Sequence, residues 1–244
     1  MSLTVLKLGG SVITEKGSPE TVDEERLELV VEALRGTDDL VLVHGAGSFG
    51  HHHAAAHGVS QDEGTHDTEG VLAIHRSMVR LNDRMLDALG ERGIPALPVH
   101  PLSAGYRDRE GTLFHPIAHV GTMVDEGFVP LLHGDVIVQA EAGATILSGD
   151  DLVVALAEGL DADRLGLCST VPGVLDGEGG VIDRIDSLEN VVDVLGGSDS
   201  TDVTGGMAAK VEKLLATDAP ASIFGPDDVE AFLAGESPGT LIGG

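Results

Sequence analysis

The sequence predicts an α/β fold on a mostly parallel central sheet flanked by helices, and three observations carry that prediction. Short apolar runs rich in Val, Leu and Ile alternate with stretches of helical periodicity along the 244 residues. Polar, Gly-rich turns follow several of the runs, as they do where parallel strands present their carboxyl ends to a ligand. No Pro/Gly/Ser-rich linker, internal repeat or low-complexity segment splits the chain, so any division into two lobes, expected as 1–150 and 151–244, leaves them sharing one sheet.

Taken in order, LTVLKL (3–8) reads as the first strand, and Thr21 with Glu24 suggests a capping box ahead of the helix ERLELVVEAL. LVLV (40–43) is a second buried strand. Residues 69–90 form a long helix with Val71, Ile74, Met78, Leu81 and Met85 on one face. IPALPV (94–99) and FVPLL (128–132) are strands around a helical 116–126, and 135–149 alternates around a glycine turn as a hairpin does. DLVVALAEGL is a helix, RLGLCS a strand, GVLDGEGGVIDRI a second hairpin and GMAAKVEKLLAT a helix; a strand ASIFG and a helix PDDVEAFLAG close the chain.

Composition excludes several classes of function. With Asp+Glu 41 against Lys+Arg 14, the formal charge of −27 makes nucleic acid and anionic membrane unlikely partners. The acids are scattered rather than gathered in a tail, which points to a protein of a high-salt cytoplasm, where the Debye length falls to about 3 Å at 1 M. Only Lys7, Lys16, Lys210 and Lys213 remain as lysines. On so acidic a chain these survivors mark positions that need a point charge on a flexible stem. A single cysteine, Cys168, rules out an internal disulfide and reads as a small buried residue. No signal peptide or membrane span is evident, so a soluble cytoplasmic protein is expected.

The stretch HGAGSFGHHH (44–53) contains G-x-G-x-x-G directly after an apolar run, the spacing of a dinucleotide-binding turn. That reading fails on context: a separate turn, KLGGS, already follows the first strand, and the acids at the right distance (Glu63, Glu69) have no strand before them. A P-loop fails too, because no lysine follows a glycine. His53 and His57 stand at i, i+4 without an evident third ligand, so a metal site is not expected, and these histidines are read as facing solvent. What remains is four Gly-rich loops, KLGGS (7–11), HGAGSFGH (44–51), SGDD (148–151) and TDVTGGMAAK (201–210). In each of them glycine lets backbone amides approach a phosphate, and a helix can start behind it.

In this order, KLGGSVIT, HGAGSFGH, HGDVI, SGDD and DVTGGMAAK resemble the amino acid kinase superfamily and, within it, the isopentenyl phosphate kinases. The resemblance implies an amino acid kinase-like α/β sandwich, ATP-dependent phosphorylation of isopentenyl phosphate with Mg²⁺, and a homodimer. It places the phosphoryl acceptor in the N-terminal lobe and ATP in the C-terminal lobe. Lys7 is similar to the family lysine on the transferring phosphoryl group, and Lys16 to a second lysine in the loop after the first strand. Asp150 corresponds to the carboxylate that orients the lysines, with N-capping as its plainer reading; Asp151 could cap equally well. Lys210, one turn past Gly206, is expected on ATP phosphates, and Lys213 is read as facing solvent. ATP contacts are further expected from Gly9, Gly10, Ser11, Gly47, Thr170, Gly205 and Gly206, and acceptor contacts from Ala46, Gly47, Gly50, His51 and Gly149. His51 resembles the family histidine that hydrogen-bonds the acceptor phosphate. One departure stands out: the family's Thr-Asp-Val-Asp-Gly-Val is STVPGV here (169–174), with Thr170 and Pro172 in place of two acids. Two other readings remain open. One is a fosfomycin-type phosphonate kinase, which lacks the need for an apolar wall such as the 71–85 face. The other is a non-catalytic phosphate-binding module.

Overall fold

The structure, a computed structural model, describes residues 2–190 and 204–244. Its centre is an eight-stranded sheet. Strands β1 (Thr4–Leu8), β2 (Leu40–His44), β3 (Ala96–Pro98) and β6 (Val129–His133) come from the first part of the chain. β9 (Arg164–Cys168), β10 (Arg184–Ile185), β11 (Ala221–Phe224) and β12 (Thr240–Ile242) come from the second. The order is β10-β12-β11-β9-β1-β2-β6-β3, and every neighbouring pair is parallel except β11 with β12. β1 lies between strands reached in opposite directions, so the turn after it opens at a topological switch point.

A smaller sheet packs beside it, in the order β5 (Leu113–Phe114), β4 (Tyr106–Arg107), β7 (Asp135–Gln139), β8 (Gly143–Leu147). The hairpin expected over 135–149 is β7–β8. Strands of two residues such as β4 and β5 are too short to leave a periodic signal in the sequence. The hairpin expected over 173–185 is reduced to one antiparallel bridge, Leu175 with Val181, because β10 pairs instead with β12.

Helices cover both faces: α1 (Gly10–Ile13), α2 (Glu24–Ala33), α3 (Gly47–His57), α4 (Thr68–Glu91), α5 (Pro101–Ala104), α6 (Ile117–Asp125), α7 (Gly149–Gly159), α8 (Thr204–Leu215) and α9 (Val229–Leu233). Asp23, not Thr21, caps α2, accepting from the Arg26 amide at 3.1 Å. The segment 226–235 opens with a 3₁₀ turn, so its α-helical part is only α9. Strand alternation sorts the core into two layers. Val5, Val41, Val43, Leu165 and Leu167 pack toward α7, whereas Leu6, Leu8, Leu40 and Leu42 pack toward α2 and α4. Lys7 shares the parity of Val5 and therefore points to the α7 side. Among the described residues no helix is long and apolar enough to cross a membrane.

Candidate functional site

β1, β2, β6 and β9 end side by side, and the turns after them meet above the carboxyl edge. Glycine makes the meeting possible. A Cβ on Gly10 would lie 2.0 Å from the Gly47 nitrogen, and one on Gly45 would lie 2.5 Å from the Gly10 nitrogen, so the two loops cross backbone against backbone. The α3 end is pinned by Thr14, whose hydroxyl donates to the Gly10 carbonyl at 2.7 Å and accepts from the Ser48 amide at 3.0 Å.

Lys7 is 8% exposed, and its Nζ lies 2.5 Å from Asp150 Oδ1. Asp150 is available because Ser148, not an aspartate, caps α7, its hydroxyl accepting from the Asp151 amide at 3.1 Å. Burial pushes the Asp150 pKa up, but Lys7, Lys210 and Lys213 outweigh it and leave the group below its ordinary value. The carboxylate is therefore ionised and stays paired as pH falls until its depressed folded pKa is reached. Lys210, from α8, faces the same carboxylate; burial first, and then Lys7, lower its pKa despite Asp150. His51 stands one turn into α3, four residues after Gly47, and is partly exposed. Partial desolvation and the Lys7 charge depress its pKa. α3 has no side-chain cap, and among the described residues the Ala46 amide meets no acceptor. The cluster thus gathers two lysines, an orienting carboxylate, a histidine and an uncapped helix start.

The chain matches the amino acid kinase family over residues 2–217. It is 65% identical to the isopentenyl phosphate kinase of Haloferax volcanii over the full length of both, and 32% identical to that of Methanocaldococcus jannaschii over 98% of each. A solved isopentenyl phosphate kinase structure superposes with a TM-score of 0.84 at 27% identity, covering 98% of this chain and 99% of that one. The chain belongs to the amino acid kinase family, among its isopentenyl phosphate kinases.

Within this kinase scaffold the other expected site residues fall as follows. Gly9 and Gly10 turn the chain after β1, and Ser11 stands in α1. Gly149, buried at the start of α7, leaves room for Lys7, since a Cβ there would come within 3.0 Å of Lys7 Cε. Gly50 is buried against Met78. Thr170 and Pro172 are exposed in the loop after β9. Gly205 and Gly206 lie in the first turn of α8, whereas 201–203 lie outside the described residues. Lys16 is exposed and makes no ion pair among the described residues. Its loop is nevertheless held beside α3, the Glu20 amide donating to the Ser48 carbonyl at 3.2 Å.

Several residues are not where periodicity put them. Lys213 does not simply face solvent: its Nζ meets Asp151 Oδ1 at 2.5 Å, and Asp151 also takes Arg107 from β4 at 2.8 Å. This triad joins β4, α7 and α8 beside the Lys7–Asp150 pair, and Arg107 had no sequence signal because a two-residue strand shows no pattern. Nor do His53 and His57 point into water. His53 lies 2.8 Å from Glu20 Oε1, and His57 3.5 Å from Asp67. Glu20 also accepts from Ser77 and Arg80; against the effect of burial these bonds hold its pKa down to about 2. Of the 71–85 face, Met78, Leu81 and Met85 are consumed by the core. Ile74 instead joins Val59 and Val136 in a small separate cluster, edged by Ala54, Val71 and Leu102. Cys168 is buried as expected, and burial pushes its thiol up to about 12.

Lys210 yields a pH prediction. Its lowered pKa means that it loses its proton at a lower pH than an ordinary lysine. The expected kcat/KM profile falls on the alkaline side through that pKa, and in Lys210→Arg the fall disappears because guanidinium stays charged. A wild-type limb unchanged in the arginine variant would assign the titration to another group.

Proposed function

We propose that this chain transfers the γ-phosphoryl group of ATP to isopentenyl phosphate, giving isopentenyl diphosphate and ADP in the cytoplasm. What supports the reading is the meeting of Lys7, Asp150, His51 and the uncapped start of α3, with an apolar cluster around Ile74 packed nearby on the same helix pair. Ala54, on the edge of that cluster, lies about one helix turn from His51. A phosphate with a short branched hydrocarbon tail matches such a site, whereas a small polar phosphonate leaves the apolar cluster unused.

The chemistry suits these residues. A phosphate monoester is already anionic near neutral pH, so its oxygen attacks the γ-phosphorus without a general base, and the bond to the β-phosphate oxygen breaks to release ADP. Asp150, ionised and held by Lys7, is a poor proton acceptor and a good anchor. Its role is to keep Lys7 and Lys210 aimed at the transferring group. The acceptor occupies the lobe of residues 1–150, and ATP the lobe of 151–244, with Gly9, Gly10, Ser11 and Lys7 between them. Thr170 in place of an acid leaves fewer negative groups beside the nucleotide. No three carboxylate or imidazole groups gather as a metal site among the described residues. Mg²⁺ would come with the nucleotide phosphates, as this ion commonly does. When bound it neutralises charge on the phosphates. A homodimer, implied by the family resemblance, belongs to the same reading, and sedimentation at high salt checks it.

The test is ADP release with isopentenyl phosphate, with fosfomycin and with no acceptor. Release dependent on isopentenyl phosphate supports the proposal. Release only with fosfomycin moves the chain to phosphonate kinases, and none with either makes it a binding module. Within the proposal, His51→Ala should raise the KM for isopentenyl phosphate far more than that for ATP. The expected scale is about 10- to 150-fold, the worth of a hydrogen bond to a charged group. His51→Asn and His51→Gln keep an N–H and should recover part of the loss, whereas His52→Ala should do little. A variant that weakens only ATP would show the loop to serve the nucleotide instead.

A further inference from the structure

Beneath the acceptor loop lies a buried array of histidines that the reaction does not use directly. His44 ends β2 and His133 ends β6, both 0% exposed, with ring centroids stacked 5.4 Å apart. Each is followed by glycine, and each turns its Nδ1 onto the carbonyl of that glycine, at 3.2 Å for Gly45 and 3.0 Å for Gly134. The array continues outward: His100 Nδ1 lies 2.9 Å from His133 Nε2, and His75 Nδ1 lies 2.7 Å from Asp135 Oδ2. At its inner end His44 Nε2 lies 3.2 Å from the Asn82 side-chain amide on α4.

We infer that His44 is a positioning residue for the acceptor: held as the neutral Nδ1–H tautomer, it turns the Gly45 carbonyl inward and so aims the Ala46 amide at the acceptor's phosphate. A carbonyl accepts only from a protonated ring nitrogen, so Nδ1 of His44 and of His133 carries the proton. The remaining nitrogens then accept, His133 from His100 and His44 from the amide N–H of Asn82. Turned this way, the Asn82 amide meets the partner that its buried nitrogen otherwise lacks. Burial keeps both rings neutral, at about 4 for His44 and well below the ordinary imidazole value for His133. A trans peptide sends its C=O and the next N–H in opposite directions. With the Gly45 carbonyl drawn into the core, the Ala46 N–H must face out of it, and it meets no acceptor among the described residues. The same device at His133 holds the Gly134 turn, whose amide donates to the His44 carbonyl at 3.0 Å, so the two rings and the two turns brace one another.

The inference rests on the reading of 45–51 as the acceptor loop, and the experiment separates the two. First, wild-type protein either turns over isopentenyl phosphate or does not, which judges the function alone. Second, long-range proton–nitrogen correlation on ¹⁵N-labelled protein reports the tautomer, with the His44 signal assigned by its loss in His44→Phe. The expected state is Nδ1–H for His44, unchanged between about pH 6 and pH 9. Third, His44→Phe keeps a stacked ring without a donor, and should raise the KM for isopentenyl phosphate by about tenfold or more with the KM for ATP within about twofold. His44→Asn, whose amide reaches the position of Nδ1, should recover part of that. A folded His44→Phe with unchanged acceptor KM overturns the inference. If His44→Phe does not fold, His44→Asn supplies the assignment, and an Nε2–H tautomer overturns it just as firmly.

Discussion

Lys7→Ala is expected to lower turnover by about 10²–10³-fold, the usual cost of losing one preorganised charge at a group whose negative charge is being redistributed. On the proposed function, Lys7 would meet the transferring phosphoryl group because β1 ends beneath the glycine loops and Asp150 holds its ammonium at 2.5 Å. No other described cation shares that position: Lys210 approaches from α8, Lys213 is paired with Asp151, and Lys16 lies out on its loop. Removing Lys7 leaves Asp150 with Lys210 as a remaining counter-charge, so the variant folds with a lower melting temperature, and turnover is measured well below it. Lys210→Ala should fall by a similar factor. Lys7→Arg should not restore the rate, because a planar fork replaces a point charge in a space so tight that a Cβ on Gly149 would come within 3.0 Å of the lysine stem. Near-wild-type turnover in either alanine variant would remove that lysine from the mechanism.

The second large effect is expected from salt. At −27 the surface repels itself, and dilute buffer leaves this repulsion unscreened over the distances between neighbouring acids. The melting temperature should climb steeply between about 0.1 and 3 M KCl, and activity should follow it. The buried Lys7–Asp150 pair is screened far less than surface charge, so the site itself should persist once the fold does. Loss of activity at low salt should therefore track loss of structure, monitored by circular dichroism, and be reversed on adding salt. A melting temperature flat across that range would mean that the acids serve some purpose other than high-salt life.

Much of this was legible in the residues themselves. Strands of Val and Leu separated by periodic helices announced the parallel sheet, since a strand buried on both faces must be apolar throughout. The rarity of lysine marked Lys7 and Lys210, which meet at Asp150, and the glycine turns marked the loops that cross above the sheet edge. Asp150 was visible through its motif, although spacing alone could not separate its role from capping. In the fold Ser148 caps α7 and Asp150 pairs with Lys7 instead.

The sequence by itself determined the local terms: which of the longer segments are strands, which turns need glycine, how acidic the surface is and which cations are scarce. Tertiary structure alone decided who meets whom. Arg107 from a two-residue strand joins Asp151 and Lys213, and Glu20 gathers His53, Ser77 and Arg80. His44, His75, His100 and His133, scattered over ninety residues, stack and bond beneath one loop. The physical reason is that these partners come from separate elements, and their distance is set by sheet order and helix packing. A chain read residue by residue carries periodicity, but not the crossing of two loops.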